Sequence, residues 1–306
     1  MIELTIVTPT YNRCYTLQRV YNSIVQQNHG NVLWLVIDDG STDETSSLIE
    51  KLINKRELPI TYIKKENGGR HTALNLSYQY IKTEWYINMD SDDEFYPGAL
   101  HKIKKYIKLV NGKKNIWCIS GRCIDNNSGK MVGRAWPRQI NSYLNPKQRH
   151  LLNRIQGEKS CVRRLEIVKK NLFPVVDGIK FIPEGYIWDK IQMDYETYCV
   201  DDVFRIYHTN SEDSLAKGKI HKDSMYHSYY YGQLGLINYC SGDLFFDRRI
   251  LLAFIKINRF AYLSGRTLKG TINDINKNWK KIVCVIVYPL ALIYVKIEHI
   301  GIKKYR

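Results

Sequence analysis

The chain of 306 residues contains no Cys-x-x-Cys pair, and its seven cysteines, at positions 14, 118, 123, 161, 199, 240 and 284, are odd in number. These absences exclude a disulfide framework and a paired-thiolate zinc site, and they fit a reducing compartment. No positively charged segment followed by an apolar stretch stands at the start, so no secretory leader is expected. An apolar run of the ~20 residues that a spanning helix needs is also missing. The run Ile282–Val295 has only 14 residues and is interrupted by Pro289. Internal repeats and low-complexity linkers are absent, which excludes a solenoid. With 44% hydrophobic and 25% charged residues, the composition is that of a globular protein and excludes disorder.

Acidic residues are scarce relative to basic ones, 30 against 46, for a formal net charge of +16. The excess is uneven. Residues 1–100 hold nine Lys and Arg against thirteen Asp and Glu, whereas residues 245–306 hold thirteen against three. A basic tail behind an acidic front asks for an anionic partner: a membrane, a nucleic acid or a phosphorylated substrate. A solvated basic face is the plain alternative.

The first hundred residues alternate strand and helix signals. Strands are expected at Glu3–Thr8, Val32–Ile37, Ile60–Lys64 and Trp85–Met89. Helices are expected at Tyr15–Asn28, Asp43–Leu52 (capped by Ser41 or Thr42), His71–Ile81 and after Pro97. This order implies an α/β fold with a doubly wound, Rossmann-like, mostly parallel sheet, whose ligand lies at the carboxyl ends of the strands. A further strand is expected at Trp117–Ile124. From Phe245 the pattern becomes helical. Arg249, Lys256 and Arg259 lie on one side of Phe245–Ser264, and Ile250, Leu251, Phe254 and Ile257 on the other, a basic and amphipathic extension. The expected division is one domain over 1–215, with a nucleotide-binding half 1–100 and an acceptor half 101–215, followed by a helical region 216–306.

Four short motifs close the four strands. They are Thr8-Pro9-Thr10-Tyr11-Asn12-Arg13, Asp38-Asp39-Gly40-Ser41-Thr42-Asp43, Asn67-Gly68-Gly69-Arg70 and Asp90-Ser91-Asp92-Asp93. The last places hard carboxylate oxygens on a turn after an apolar strand, which suits Mg²⁺ or Mn²⁺ shared with substrate phosphates. A turn capping the next helix is the alternative. Asp39 can accept the N3–H of a uracil. Gly68 and Gly69 permit close backbone approach, and Arg70 can pair with a phosphate. Pro9 and Tyr11 can pack against a nucleoside.

Together these motifs, with Ala73 and Asn75 on the third helix, resemble glycosyltransferase family 2. The resemblance covers about the first 100 residues. It implies the GT-A fold and an inverting transferase that uses a nucleotide-diphosphate sugar, usually a UDP-sugar. It implies that Thr8, Pro9, Tyr11, Arg13, Asp39, Asn67, Gly68, Gly69, Arg70, Asp90 and Ser91 contact the nucleotide sugar. Asp39 would bind uracil, Asp90 would sit by the ribose or donor sugar, and Asp92, with Asp90, would hold the metal. The family's base is an acid in a later segment, often a Glu-Asp pair. In Phe181-Ile182-Pro183-Glu184-Gly185-Tyr186-Ile187-Trp188-Asp189 that pair is missing. Asp189 is the first candidate and Glu184 the second. Val203-Phe204-Arg205-Ile206-Tyr207 and Asp213-Ser214-Leu215 look like the tail of such domains.

The expected activity is transfer of a hexosyl or N-acetylhexosaminyl group from a UDP-sugar to an acceptor hydroxyl. The acceptor expected is a saccharide, polyprenyl-linked, in bacterial cell-surface glycan synthesis. The enzyme would work in the cytoplasm, peripheral on an anionic membrane surface at the inner face. Two other readings remain open at this level. A sugar-phosphate nucleotidyltransferase shares the sheet but needs a Gly-rich loop after strand one, where this chain has none. A non-catalytic membrane-bound nucleotide-sugar binder would not need Asp39, Asp90 and Asp92 together. A nucleic-acid partner, not expected, would account for the basic tail but not the acidic turns. The aromatic stretch Tyr226-His227-Ser228-Tyr229-Tyr230-Tyr231 suits either sugar stacking or a core and interface role.

Overall fold

The computed structural model describes residues 2–28, 31–137, 143–146, 148, 157–208, 222–239 and 248–304. The expected tail motif at 213–215 lies outside these residues, as does Cys240. The chain divides into two compact units. One comprises Met1–Leu172 with Asp194–Gly218, and the other Phe173–Met193 with Lys219–Arg306.

The first unit is built on one mixed sheet. Strands β1 (Leu4–Thr10), β2 (Val32–Asp38), β3 (Ile60–Lys64) and β4 (Trp85–Asn88) stand in the order β3-β2-β1-β4, all parallel. Helices α1 (Cys14–Val25), α2 (Thr45–Asn54) and α3 (Arg70–Tyr80) connect them. Burial on both faces explains the unbroken apolar runs: every residue of β1 is buried, as are six of the seven in β2. Helix α1 turns Leu17, Val20, Tyr21 and Ile24 inward at helical spacing. Tyr21 meets Trp34 with ring centroids 6.1 Å apart.

Strand β1 runs two residues further than its sequence pattern indicates. Pro9 has no amide to give, and it sits next to the strand end, where a lost ladder bond costs least. Helix α2 starts at Thr45 and not at Asp43. Neither Ser41 nor Thr42 caps it. The N-cap position is Glu44, whose side chain makes no capping bond; Asp43 before it accepts from Thr45 N through Oδ1 at 3.1 Å and from Cys14 N, at the start of α1, through Oδ2 at 3.1 Å. Burial works to raise the pKa of Asp43, but these hydrogen bonds outweigh it and hold the carboxyl below its ordinary value.

Beyond β4 the sheet ceases to be parallel. Strand β5 (Glu94–Phe95) and helix α4 (Ala99–Val110) lead to β6 (Ile116–Asp125). After the short β7 (Tyr143–Leu144), strand β8 (Lys159–Arg164) inserts antiparallel between β4 and β6. A short helix α5 (Leu165–Lys169) follows β8. In the second unit, helix α6 (Gly185–Ile191) is short. Strand β9 (Glu196–Tyr207), back in the first unit, pairs parallel with β6 and antiparallel with β5.

The rest of the second unit is helical: α7 (Lys222–Tyr239), α8 (Arg248–Leu263), α9 (Leu268–Asp274) and α10 (Asn278–Lys304). Ile250, Phe254 and Ile257 of α8 are buried as expected, but Leu251 is 45% exposed. In the tyrosine stretch of α7, Tyr230 is fully buried and its hydroxyl donates to Asp274 Oδ2 at 2.6 Å. Burial, reinforced by the Asp274 carboxylate, raises the Tyr230 pKa far above its ordinary value. Tyr230 is thus a core residue. No helix among the described residues is long and apolar enough to cross a membrane. The six described cysteines are free thiols.

Candidate active site

The connection from β1 to β2 runs one way across the sheet, and β4 lies on the other side of β1. The carboxyl ends of β1 and β4 therefore flank the switch point where an α/β sheet opens a ligand crevice. All four sequence motifs leave the sheet along this edge.

The first two motifs are stapled together. Asn12 N donates to Ser41 Oγ at 2.9 Å, and Asn12 Oδ1 accepts from Thr42 N at 2.8 Å. Asn12 has φ 51°, a left-handed conformation that asparagine tolerates better than most residues. Thr8, expected among the nucleotide contacts, is fully buried, and its hydroxyl accepts from the Trp34 indole at 2.9 Å. Its side chain therefore serves the sheet interior. Tyr11, by contrast, is 48% exposed at the crevice edge.

Asp38 is wholly buried and structural. Its Oδ1 accepts from Ser41 N at 2.7 Å and its Oδ2 from the Tyr62 hydroxyl at 2.5 Å. Burial and the Asp38 charge push Tyr62 up to about 12.

Asp39 organises the third motif. Its Oδ1 accepts from Lys65 Nζ at 2.6 Å and Gly68 N at 3.0 Å. Its Oδ2 accepts from Gly69 N at 2.7 Å and Asn67 Nδ2 at 3.2 Å. Gly69 has φ 92° and opens α3, so a side chain there would be strained. A Cβ on Gly40, at φ 87°, would come within 2.9 Å of Asn67 N. The expectation of a carboxylate at a strand end was right in place, but the loop's own donors already occupy it. A uracil N3–H reaches Asp39 only by taking over one of these positions. Lys65 Nζ, on a long side chain, is the donor that moves most readily.

Removing this carboxylate should therefore do two things. Asp39→Ala is expected to lower stability by about 2–3 kcal/mol, the scale of a lost charged hydrogen-bond centre. UDP affinity should fall with it. Thermal melting and calorimetric titration with UDP check both. A melting point and a UDP affinity equal to wild type would contradict the role given to Asp39.

The fourth motif sits among arginines. Asp90 Oδ1 lies 2.5 Å from Arg70 and its Oδ2 lies 2.9 Å from Arg205. Burial acts to raise the Asp90 pKa, but Arg70 and Arg205 overcome it and hold the carboxyl down at about 2. Asp93 is also buried. Its Oδ2 is 3.2 Å from Arg205, and its Oδ1 accepts from His208 N at 3.0 Å. Burial, with repulsion from Asp90, outweighs Arg205 and pushes Asp93 up to about 8. Arg205 is almost fully buried and also reaches Glu158 Oε1 at 2.7 Å. The Asp92 carboxylate lies 3.5 Å from Arg13, a separation longer than a direct hydrogen bond. The Asp92 carbonyl accepts from Arg19. Ser91 is half-buried on the same turn.

Sequence reasoning quoted Arg205 and Asp93 but gave them no role, and it missed Lys65 and Glu158. The one local signal for Arg205 was an arginine inside the otherwise apolar run Val203–Ile206. Glu184 and Asp189 belong to the second unit, just before and within α6. The Glu184 Oε2 accepts from the Trp188 indole at 2.9 Å, and Trp188 stands edge-on to Phe173 at 5.7 Å. Both carboxylates are half-buried.

Comparison with known proteins gives a consistent family signal. Residues 5–171, more than half of the chain, match the family described as glycosyl transferase family 2. An uncharacterized glycosyltransferase of Rickettsia prowazekii is 31% identical over 116 residues, 38% of this chain and 35% of the relative. The match therefore spans about a third of that relative's length. The GalNAc(5)-diNAcBac-PP-undecaprenol beta-1,3-glucosyltransferase of Campylobacter jejuni is 24% identical over 222 residues, 71% of this chain and 68% of its own. Among solved structures, Staphylococcus aureus TarS in complex with UDP-GlcNAc superimposes with a TM-score of 0.61 at 15% identity, covering 95% of this chain and 81% of TarS. The fold is GT-A.

Proposed function

Since the chain belongs to glycosyl transferase family 2, we propose that it moves a sugar from a UDP-sugar to an acceptor hydroxyl with inversion. The observation that carries this reading is the Asp90-to-Asp93 turn, held by Arg70 and Arg205 at the switch-point edge beside the Asp39 clasp. Support for a UDP-sugar comes from TarS, which has this fold and was solved with UDP-GlcNAc. Support for a lipid-linked saccharide acceptor, and so for cell-surface glycan synthesis at the membrane, comes from the undecaprenol in the name of the Campylobacter relative.

Asp92 fits a divalent cation. Its carboxylate is part-exposed, stands 3.5 Å from Arg13, and neighbours Asp90 on one turn. No group of three or more metal-ligating side chains occurs among the described residues. One or two carboxylates of this turn would suffice for Mg²⁺ or Mn²⁺, whose shell substrate phosphates and water commonly complete. When bound, the ion would neutralise the charge that develops on the diphosphate.

The chain's own groups supply the rest. Arg70 pairs with the donor phosphates, and Asp90 orients the ribose or donor sugar. Tyr11 and Pro9 flank the nucleoside. Asp189 accepts the proton of the acceptor hydroxyl as its oxygen bonds to the anomeric carbon. The bond from that carbon to the diphosphate oxygen breaks with its electron pair, and UDP leaves. Glu184, whose carboxylate is engaged by Trp188, ranks second as base. Residues 1–100 form the donor half of this scheme.

Measuring hydrolysis and transfer across a set of UDP-, GDP- and CDP-sugars, with and without Mn²⁺, tests the proposal directly. Preference for a UDP-sugar is expected, and equal use of all three nucleotides would overturn the role of Asp39. Asp189→Asn should leave UDP affinity intact while transfer falls by roughly 10²-fold or more. Normal transfer by Asp189→Asn, with loss in Glu184→Gln, would exchange the two roles.

A further inference from the structure

Helix α10 is apolar on two faces. Cys284, Val287, Ala291 and Val295 are buried, and Asn258 of α8 donates to the Cys284 carbonyl at 2.9 Å. The opposite face is exposed among the described residues. Trp279, Ile282, Ile286, Leu290, Ile293 and Ile297 are 44%, 60%, 69%, 55%, 53% and 63% exposed. A helix apolar all round is ordinarily covered on every side, and an exposed apolar stripe of this extent marks an interaction surface.

Three observations choose the occupant. First, no acidic residue occurs from Trp279 to Ile297, while Lys281 and Lys296 stand toward the two ends of the stripe. The Arg259 guanidinium lies over the Tyr294 ring at 5.3 Å, adding a third cation beside it. Anionic headgroups match all three cations, whereas the same helix of a second copy would offer them only Glu298, just past the stripe. Second, the stripe advances in steps of three, four, four, three and four residues, an average of about 3.6 and equal to the helical repeat. Such a stripe stays straight along the helix, as a flat surface requires, while a left-handed coiled coil needs about 3.5. Third, Trp279 and Tyr294, 44% and 56% exposed, add amphipathic rings, which favour the headgroup level of a membrane surface.

We propose that α10 lies in the plane of an anionic membrane, with the Trp279–Ile297 face among the acyl chains and Lys281, Lys296 and Arg259 at the headgroups. The uncharged span is too short to cross a bilayer. This inference does not depend on the donor, the metal or the base.

The test uses the full chain and sedimentation with vesicles at low salt. Vesicles of equal parts phosphatidylcholine and phosphatidylglycerol should pellet the protein, and phosphatidylcholine alone should do so far less. Ile286→Glu combined with Ile293→Glu should lower the pelleted fraction on anionic vesicles at least about tenfold. Melting temperature and UDP affinity should stay at wild-type values, because both side chains are exposed. Lys281→Glu with Lys296→Glu should remove the preference for the anionic lipid. Pelleting that survives both isoleucine substitutions would overturn the proposal. So would a protein that ignores the vesicles, whether or not light scattering shows a dimer that Ile286→Glu dissociates; such a dimer would assign the face to a second copy.

Discussion

Asp92→Asn should reduce sugar transfer by about 10³-fold or more while leaving the fold intact. Asparagine keeps the shape of the side chain and loses its charge. The carboxylate is exposed enough to meet a ligand, and Arg13, at 3.5 Å, is too distant for a strong hydrogen bond to it. A cation that neutralises the leaving diphosphate is worth several kcal/mol, and each ~1.4 kcal/mol is tenfold in rate. Steady-state transfer assays with Mn²⁺ titration provide the measurement. Transfer should fall in kcat, and UDP binding should lose its dependence on the metal. Full activity of the variant, or of the wild type in EDTA, would remove Asp92 from the metal site.

The second large effect concerns Arg205, which makes no expected contact with the acceptor. One guanidinium serves Asp90 at 2.9 Å, Asp93 at 3.2 Å and Glu158 at 2.7 Å. Arg205→Ala leaves buried Asp93 without its cation and Asp90 with Arg70 alone, and breaking a buried ion pair typically costs about 3–5 kcal/mol. Chemical denaturation should show that loss. Arg205→Lys restores the charge but not the planar fork, so it should recover much of the stability and little of the activity. Equal stability of Arg205→Ala and wild type would show that the cluster does not hold the turn.

The same cluster sets the pH response. The folded pKa of Asp90 is depressed to about 2. Its contribution to stability is therefore complete above the unfolded value of about 4 and is lost as pH falls toward the folded one. Asp93 runs the other way. Its folded pKa is raised to about 8, so its contribution declines as pH climbs from about 4 to about 8.

What the sequence disclosed and what it hid have separable physical causes. The strands β1, β2 and β4 were legible because burial on both faces imposes unbroken apolar runs, edge strand β3 by its β-branched and aromatic residues, and all four because polar turns set them off. The site motifs were legible for the same reason, since each is the turn itself. Arg205 was not legible as a site residue, because it stands 115 positions from Asp90 and only strand pairing brings the two together. The antiparallel insertion of β8 was equally hidden. Its sequence, Lys-Ser-Cys-Val-Arg-Arg, carries little of the alternation or apolar continuity that marks a strand. The clasp around Asp39 eluded prediction because backbone amides leave no trace in side-chain identity.

Asp43 joins two helices through one carboxylate, with Cys14 N at the start of α1 on one oxygen and Thr45 N at the start of α2 on the other. Fraying, ordinarily a private event at each helix end, is thereby shared. Opening the first turn of either helix frees the oxygen bound to its own amide, and the carboxylate, held by one oxygen only, turns more readily away from the other's amide toward water. The two first turns then open together as one local unfolding unit, at the edge where the first two motifs meet.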